Sequence, residues 1–260
     1  MDRLIYTAMT GASTAQHRQT VLANNLANVS TNGFKRATAV FEDLMYQNLR
    51  QVGANTAEQA ELPTGLQVGL GVRTVATSRN FTQGSLQQSG NALDLAVNGG
   101  GFFQVQMPDG TTGYTRDGSF QLDAQGRMVT SSGYPLTAGI TLPAESQSIT
   151  VSSDGVVTAK LPGNPVPQQV GNIELANFIN AAGLEPLGQN LFAESLASGN
   201  PITGAPGSTG LGTVMQGMVE TSNVNVVQEL VTMIQTQRAY EMNSKAIQTS
   251  DQMLQRLSQL

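Results

Sequence analysis

Residues that could carry out catalysis are scarce in this chain of 260 residues. It has no cysteine and a single histidine, so thiol nucleophiles, disulfides and cysteine-rich zinc sites are excluded. A Ser-His-Asp triad would have to use His17, which lies within a predicted helix and has no glycine-flanked serine nearby. These features predict a protein that is not an enzyme and that needs no cofactor or metal.

Two glycine-containing stretches match ligand-binding loops only superficially. The stretch NGGGFF at 98–103 lacks the Lys-Ser/Thr of a phosphate loop, and a strand-like run follows it in place of a helix. In DGSFQLDAQG at 117–126 the acidic residues miss the alternate spacing of a calcium loop, and no Glu closes it. Both stretches are typical of tight turns in β structure, with Phe102, Tyr114 and Phe120 as predicted core residues.

The side chains best suited to directed hydrogen bonding near the N-terminus are amides. VLANNLANVSTNGFKR, at 21–36, holds four asparagines within nine positions while its leucines keep a helical spacing. Asparagine is a poor helix former because its side chain competes for backbone hydrogen bonds. Asn24 and Asn28 share one helix face, and we predict that their amides bond to neighbouring copies and fix the register. The alternative is turn and capping chemistry, which we favour for Asn32.

The elements that must position these amides are two terminal helices. In the first helix, apolar residues recur at intervals of three and four as in a heptad pattern. The positions of the pattern are Ile5, Ala8, Ala12, Ala15, Leu22, Leu26 and Val29. Asn32-Gly33 is a typical helix end, so we predict a helix from the N-terminus to residue 33.

The last segment repeats the pattern with larger side chains. Five residues, which we call the apolar line, are spaced at intervals of seven: Val226, Met233, Tyr240, Ile247 and Leu254. Leu230, Ile234, Ala246, Met253, Leu257 and Leu260 widen this stripe. Asn225 can cap the helix, and Arg238 can pair across a subunit interface. Tyr240 is either a core residue of a helix pair or a contact between subunits.

Between the helices the pattern changes to short strands and turns. Runs such as MPDGTT and SITVSSDGVVTA place glycine-containing turns between strand-like residues. We predict an α+β protein in which long N- and C-terminal helices form an antiparallel coiled-coil pair, with an inserted, mostly β central domain. The predicted domains are helical at 1–33 and 226–260, extended or β at 34–90 and 201–225, and β-rich at 91–200.

The charge of the chain and its apolar helix faces bear on its partners. Only 12% of the residues are charged and the formal net charge is −5, so an electrostatic footprint for nucleic acid is missing. No secretory signal and no run of about 18 apolar residues is visible, so we predict no membrane insertion. A two-helix hairpin buries only part of two apolar stripes, which predicts a polymer of identical chains. The alternative is a secreted β-domain binding module whose helical hairpin forms a closed dimer.

Three stretches resemble a known family, the bacterial flagellar rod and hook proteins. LANNLANVSTNGFKR resembles its N-terminal signature, and GMVETSNVNVVQELVTMIQTQRAYEMNSKAIQTSDQML is similar to its C-terminal signature. GNALDLAVNGGGFFQVQMPDGTTGYTRDGSFQLDAQGRMVTSSGYPL is similar to the central region of the family. Within the family, the chain length, FKRATAVFEDLMYQ and the NSKAIQTSDQMLQRLSQL ending are most similar to distal rod subunits. Proximal rod and hook subunits are the nearest alternatives.

The resemblance implies a structural subunit that self-assembles into a hollow helical tube. The terminal helices would line its channel as coiled coils, and residues 91–200 would form the outer domain. The rod would lie in the flagellar basal body, span the periplasm to the outer membrane, and transmit torque from the motor to the hook. Its subunits would be exported by the flagellar type III apparatus without a cleaved signal. The stretch near 46–65 sits where distal rod subunits carry a segment that is associated with a straight, stiff rod.

The resemblance also implies the partners of the chain and the surface that meets them. The partners are further copies of the chain, the proximal rod proteins, the hook protein, and the P and L ring proteins. The predicted subunit interface consists of Ile5, Ala12, Leu22, Asn24, Leu26, Asn28, Val29, Val226, Leu230, Met233, Arg238, Tyr240, Ile247, Leu254 and Leu257.

Overall fold

A computed structural model describes residues 2–50, 55–57, 60–61, 65–143, 145–163 and 166–257. For residues 2, 55–57, 60–61 and 257 only the backbone is described. Parts of the predicted stretch 46–65, and the last three residues of the predicted helical domain 226–260, therefore lie outside the described residues.

The chain divides into two compact units, which we call the helical unit and the β unit. The helical unit comprises Met1–Ala27, Ala37–Ser78 and Asn225–Leu260, and the β unit comprises Asn28–Arg36 and Arg79–Val224. An N-terminal helix, a strand-rich centre and a C-terminal helix confirm the predicted α+β class. No helix within the described residues is both long and apolar enough to cross a membrane.

The first helix, α1, spans Asp2–Ala27 and is shorter than predicted. Asn28 and Val29, which we expected within the helix, lie in a turn in which the Thr31 N–H donates to the Asn28 carbonyl at 3.2 Å. The Thr31 hydroxyl also donates to Asn28 Oδ1 at 3.2 Å, so local side-chain bonding takes the place of another helical turn. The prediction that the helix continues to residue 33 is therefore wrong for these last residues.

The second helix, α2, spans Val226–Leu257 and begins at the predicted cap. Asn225 Oδ1 accepts the Gln228 N–H at 3.1 Å, and the Asn225 carbonyl accepts the Glu229 N–H at 3.0 Å. These bonds satisfy backbone donors of the first turn, which have no partner within the helix. Thirty-two residues at 1.5 Å each make a helix of about 48 Å.

The strands described in the helical unit form three two-stranded sheets. They are β1 (Ala37–Asp43), β2 (Gln47–Arg50), β3 (Asn55–Ala57), β4 (Ala60–Glu61), β5 (Leu66–Val68) and β6 (Val72–Arg79). β1 pairs with β6, β2 with β5, and β3 with β4. Arg73 Nε on β6 donates to Glu42 Oε1 on β1 at 2.8 Å, and both side chains are exposed, so this ion pair adds little stability.

The β unit contains a six-stranded sheet with smaller sheets beside it. Its strands are β7 (Leu86–Gln88), β8 (Leu95–Asn98), β9 (Phe102–Gln106), β10 (Thr112–Thr115), β11 (Gln121–Leu122), β12 (Met128–Val129), β13 (Ser148–Val151), β14 (Val156–Lys160), β15 (Gln168–Asn172), β16 (Leu175–Asn177), β17 (Glu185–Gly188), β18 (Leu191–Ala193), β19 (Ile202–Gly204), β20 (Thr213–Gln216) and β21 (Met218–Glu220). The large sheet has the order β17-β18-β10-β9-β16-β19, and β13-β14-β15 form a second sheet. β11 pairs with β12, β8 with β20, and β7 with β21.

The core of the β unit lies on both faces of β9, because successive side chains of a strand point to opposite faces. Phe103 and Val105 belong to one apolar cluster, in which the Phe103 and Phe120 rings meet edge to face at 5.2 Å. Phe102 belongs to a second cluster, together with Tyr114. The predicted core residues Phe102, Tyr114 and Phe120 are all buried, which confirms that prediction.

The turn between β17 and β18 holds two consecutive left-handed residues that are not glycine. Gln189 has φ 54° and Asn190 has φ 61°. These two residues form the whole loop of an antiparallel hairpin, in which Gly188 pairs with Leu191. Two left-handed residues are typical of a type I′ turn, which strongly prefers Asn and Gly. Asn190 tolerates the conformation, whereas the longer Gln189 adopts it at a cost.

We expect Gln189→Gly to stabilise the chain by about 0.5–1 kcal/mol, because glycine adopts a positive φ without steric strain. Unfolding by urea, followed by circular dichroism, measures the change. As a matched control, Gln168→Gly on β15 should destabilise the chain by a similar amount, since glycine weakens a strand. Equal effects of the two substitutions would contradict the assignment of strain to the turn.

Candidate assembly surface

Helices α1 and α2 run antiparallel where they meet in the helical unit. Near the C-terminus of α1, Asn25 Nδ2 donates to Glu229 Oε2 near the N-terminus of α2, at 3.2 Å. Toward the other ends, a Cβ built on Gly11 would lie 2.8 Å from Asn243 Nδ2. An early residue of α1 therefore meets a late residue of α2. The absence of a side chain at Gly11 is what allows this close approach.

The face of α2 that meets α1 is polar. Glu229, Thr236, Asn243 and Ser250 are spaced at intervals of seven, and we call them the inner polar line. Glu229 is 1% exposed, Thr236 6% and Ser250 1%, and Asn243 is the residue next to Gly11. The Thr236 and Ser250 hydroxyls donate to backbone carbonyls of their own helix at 2.7 and 2.8 Å. These hydroxyls are therefore satisfied although they are buried.

The face of α1 that meets α2 is built mainly from small side chains. Ala8, Ala15 and Leu22 are buried and fall at intervals of seven, and Asn25 is completely buried. Gly11, Thr14 and Ala15 line one side of a cleft whose other side is lined by Thr232, Gln235, Thr236 and Ala239. Small residues allow two helices to approach closely but bury little apolar area. The contact between the helices is therefore close, small and partly polar.

The apolar line of α2 consequently lies beside the contact with α1 and is only partly covered by it. It is offset by three residues from the inner polar line, which is about 60° around a helix of 3.6 residues per turn. Val226 is 39% exposed, Tyr240 41% and Leu254 36%, whereas Met233 and Ile247 are half-buried. Further large apolar side chains are exposed on α2, namely Val227, Leu230, Val231, Ile234, Met242 and Met253. Helix α2 thus presents its larger apolar side chains to solvent in the single chain.

The predicted interface residues fall into three groups in the structure. Leu22 is buried in the helical unit. Ile5, Ala12, Leu26, Asn28, Val29, Met233 and Ile247 are half-buried. Asn24, Val226, Leu230, Arg238, Tyr240 and Leu254 are exposed. The side chain of Leu257 lies outside the described residues, and Asn28 and Val29 belong to the β unit.

The amide with the clearest structural role is Asn25, which the periodicity did not single out. Its Nδ2 donates to the Ala37 carbonyl at 2.8 Å, and its Oδ1 accepts the Ala37 N–H at 2.9 Å. Asn25 thus pairs with the first residue of β1 as a neighbouring strand would, while Nδ2 also reaches Glu229. The side chain ties α1, β1 and α2 together. Its position between the exposed Asn24 and the apolar Leu26 carries no sequence signal for this role.

Exposed apolar residues continue on other parts of the helical unit. Leu4, Tyr6 and Met9 are exposed on α1, and Val40, Met45, Tyr46, Leu49, Leu66 and Val75 are exposed on or beside the strands β1, β2, β5 and β6. Single exposed apolar residues are ordinary, but contiguous sets mark interaction surfaces.

Within the described residues, no group of three or more His, Asp or Glu could hold a metal ion, and His17 is exposed.

Comparisons with protein families match three parts of the chain. Residues 5–35 match the model described as flagella basal body rod protein. Residues 96–159 match the flagellar hook protein FlgE/F/G D1 domain, and residues 215–260 match the flagellar basal body rod FlgEFG protein C-terminal model. The three matches follow one another in the same order as the three sequence stretches that resemble the family.

Similar proteins extend over nearly the whole chain. The flagellar basal-body rod protein FlgG of Buchnera aphidicola subsp. Schizaphis graminum is 56% identical over 256 residues, which cover 98% of each chain. The FlgG of Buchnera aphidicola subsp. Acyrthosiphon pisum is 55% identical with the same coverage. The flagellar basal-body rod protein FlgF of Escherichia coli is 34% identical and covers 100% of this chain and 98% of its own.

We expect Asn25→Ala to destabilise the helical unit by about 2–4 kcal/mol, because it leaves the buried Ala37 backbone groups without this partner. Urea unfolding followed at a helix-sensitive wavelength measures the loss, and amide exchange at Ala37 should become faster. The control is Gln16→Ala at an exposed position of α1, for which we expect a change within about 0.5 kcal/mol. A loss at Asn25 no larger than at Gln16 would contradict its role.

Proposed function

The chain belongs to the flagellar basal-body rod and hook protein family, and on that premise we propose that its terminal helices pack against those of neighbouring copies in a helical tube. The role of the chain is structural and not catalytic, as in that family. Each copy is a subunit of the flagellar basal-body rod. The proposal concerns the surface by which the subunits assemble.

The observation that supports this proposal is the partial exposure of the apolar line in the single chain. Val226, Tyr240 and Leu254 are more than a third exposed in the single chain, although they belong to a strict apolar pattern. Covering about 1,000 Å² of such surface offers roughly 25 kcal/mol before ordering and association costs. A partner that supplies a similar apolar stripe satisfies this requirement, and each further copy of the chain carries one.

Coiled-coil packing between subunits fits the two heptad patterns best. In our proposal the apolar line provides the knobs, and Ile5, Ala12 and Leu26 on α1 provide partly exposed neighbours. Asn24 and Asn28 bond to adjacent subunits and fix their register, and Arg238 pairs across the same interface. Val29, Met233, Ile247 and Leu257 complete the contact, while Leu22 packs within its own subunit. A low content of charged residues suits a surface that is repeated in every copy, since like charges would otherwise meet.

Among rod subunits, we assign the chain to the distal rod. The support is the higher identity to these two relatives that are named FlgG than to a relative that is named FlgF. In this proposal residues 1–33 and 226–260 line the channel, 34–90 and 201–225 connect, and 91–200 face outward. The stretch near 46–65 stiffens the shaft.

The proposed assembly has a defined place and defined neighbours. The rod runs through the periplasm to the outer membrane, inside the P and L rings, between the proximal rod proteins and the hook protein. It transmits torque from the motor to the hook. Its subunits reach the growing end through the flagellar type III export apparatus.

We expect Leu230→Asp to abolish tube formation without unfolding the chain, because it places a charge in the surface that copies must bury. Leu122→Asp is the matched control, since Leu122 is also 42% exposed but lies on β11 of the β unit. Electron microscopy of the assembled protein and of cells that carry each variant measures rod formation. Normal rods from Leu230→Asp would contradict the proposed assembly surface. A closed two-chain species from the wild type would favour the alternative, a binding module that forms a dimer.

A further inference from the structure

Three charged side chains are buried together in the β unit. Lys35 Nζ donates to Glu220 Oε1 at 2.6 Å, and Arg116 Nη1 donates to Glu220 Oε2 at 3.3 Å. The side chains of Lys35 and Glu220 are each 1% exposed, and that of Arg116 is 4% exposed. Buried charges are rare because desolvation is costly, so a group of three needs an explanation.

The three side chains also bond to backbone groups of separate segments. Lys35 Nζ donates to the Thr82 carbonyl at 2.8 Å, and Glu220 Oε1 accepts the Gly84 N–H at 2.8 Å. Arg116 Nη2 donates to the Gly99 carbonyl at 2.7 Å. The Arg116 guanidinium also lies over the ring of Phe102, 5.3 Å from its centroid. Each charge thus has several directed contacts, which hold it in one geometry.

The segments that meet here are those where the chain enters and leaves the β unit. The chain passes between the helical unit and the β unit at residues 28, 36, 79 and 224. Lys35 precedes the second of these positions, Thr82 and Gly84 follow the third, and Glu220 precedes the fourth. Two more bonds reinforce the junction: the Gly33 N–H donates to the Glu220 carbonyl and the Arg36 N–H to Asn223 Oδ1, both at 2.8 Å.

The cluster adds less to stability than its number of bonds suggests. It holds two cations and one carboxylate, so one positive charge is not matched by an anion in the trio. Burial lowers the pKa of Lys35, while attraction to Glu220 opposes this effect. Burial also lowers the pKa of Arg116. Buried ion pairs often contribute little net stability compared with apolar side chains of similar volume. The directed bonds of the cluster, however, fix the positions of the joined segments relative to one another. Apolar packing alone would let these segments slide more freely.

We propose that Lys35, Glu220 and Arg116 form a clamp that stops the entering and leaving segments of the β unit from sliding past one another under torque. This inference rests on the proposed function as a rotating shaft. The covalent chain at these segments carries part of any rotation that is imposed on the β unit. The clamp supplies stiffness at that position, and the apolar clusters around β9 supply most of the stability of the unit.

Lys35→Met is the sharpest test, because it leaves Arg116 and Glu220 as a pair with balanced charge. It removes the bonds that connect residue 35 to Thr82 and Glu220. We expect amide exchange at Gly33 and Gly84 to become about tenfold faster in the full chain. Exchange at Val157, in the core on β14, should stay within about twofold, since the change is a local opening. The urea midpoint should be nearly unchanged.

The same variant tests the mechanical role in cells whose only copy of the chain carries it. We expect normal numbers of rods and normal swimming in dilute medium, but a clear loss of swimming speed in viscous medium. Lys160→Met makes the same substitution at an exposed lysine of the β unit and should change neither exchange nor swimming. Lys35→Arg keeps the cation and should preserve at least part of the high-load speed.

Three results would overturn the clamp. Unchanged exchange at Gly33 and Gly84 would remove its structural basis, and faster exchange with unchanged swimming at high load would remove its mechanical role. Global unfolding of Lys35→Met would show that the cluster holds the whole fold rather than a local junction. Each of these outcomes leaves the rod assignment intact. That assignment fails separately if the wild-type chain restores no rods to cells that lack their own.

Discussion

The direction in which α2 turns its polar side chains is the constraint on which the helical unit depends. Glu229, Thr236, Asn243 and Ser250 face α1, where Asn25 binds Glu229 and the missing side chain of Gly11 admits Asn243. Polar groups occupy this face, so the larger apolar side chains lie beside it or on the far side of the helix. They are left at the surface, where only another molecule can cover them. Because the inner polar line occupies the contact with α1, the apolar line stays partly exposed in the single chain, and in the proposed rod it is the surface that meets other copies.

Different interactions stabilise the interior of each unit. The β unit buries aromatic and aliphatic side chains on both faces of β9, so its stability comes from its own apolar core. The helical unit relies on a close contact of alanines, a glycine and buried polar groups, with Asn25 joining its three parts. A subunit built in this way keeps a stable β unit while its helices gain most from neighbours. In the proposed rod, this division separates the outer part of each subunit from the part that polymerises.

The sequence predicted the elements and the antiparallel helices well, but it did not indicate which helix faces meet, for an identifiable reason. Intervals of seven reveal which residues share a helix face, and they correctly indicated both helices and the cap at Asn225. Periodicity does not say which face the nearest helix occupies, and here that face lies about 60° away from the apolar line. The end of α1 was missed because the bonding of Asn28 to Thr31 competes locally with the helix. Asn25 was missed because its partner Ala37 becomes its neighbour only in the folded chain.

Electron cryomicroscopy of assembled wild-type rods tests the central claim most directly, because it resolves which face of α2 meets the adjacent subunits. We predict that Asn25 still contacts Glu229 within each subunit, and that Val226, Tyr240 and Leu254 are covered by helices of other copies. Helices that have rotated to place the apolar line against α1 of the same chain would contradict it, as would an apolar line that faces the water of the channel.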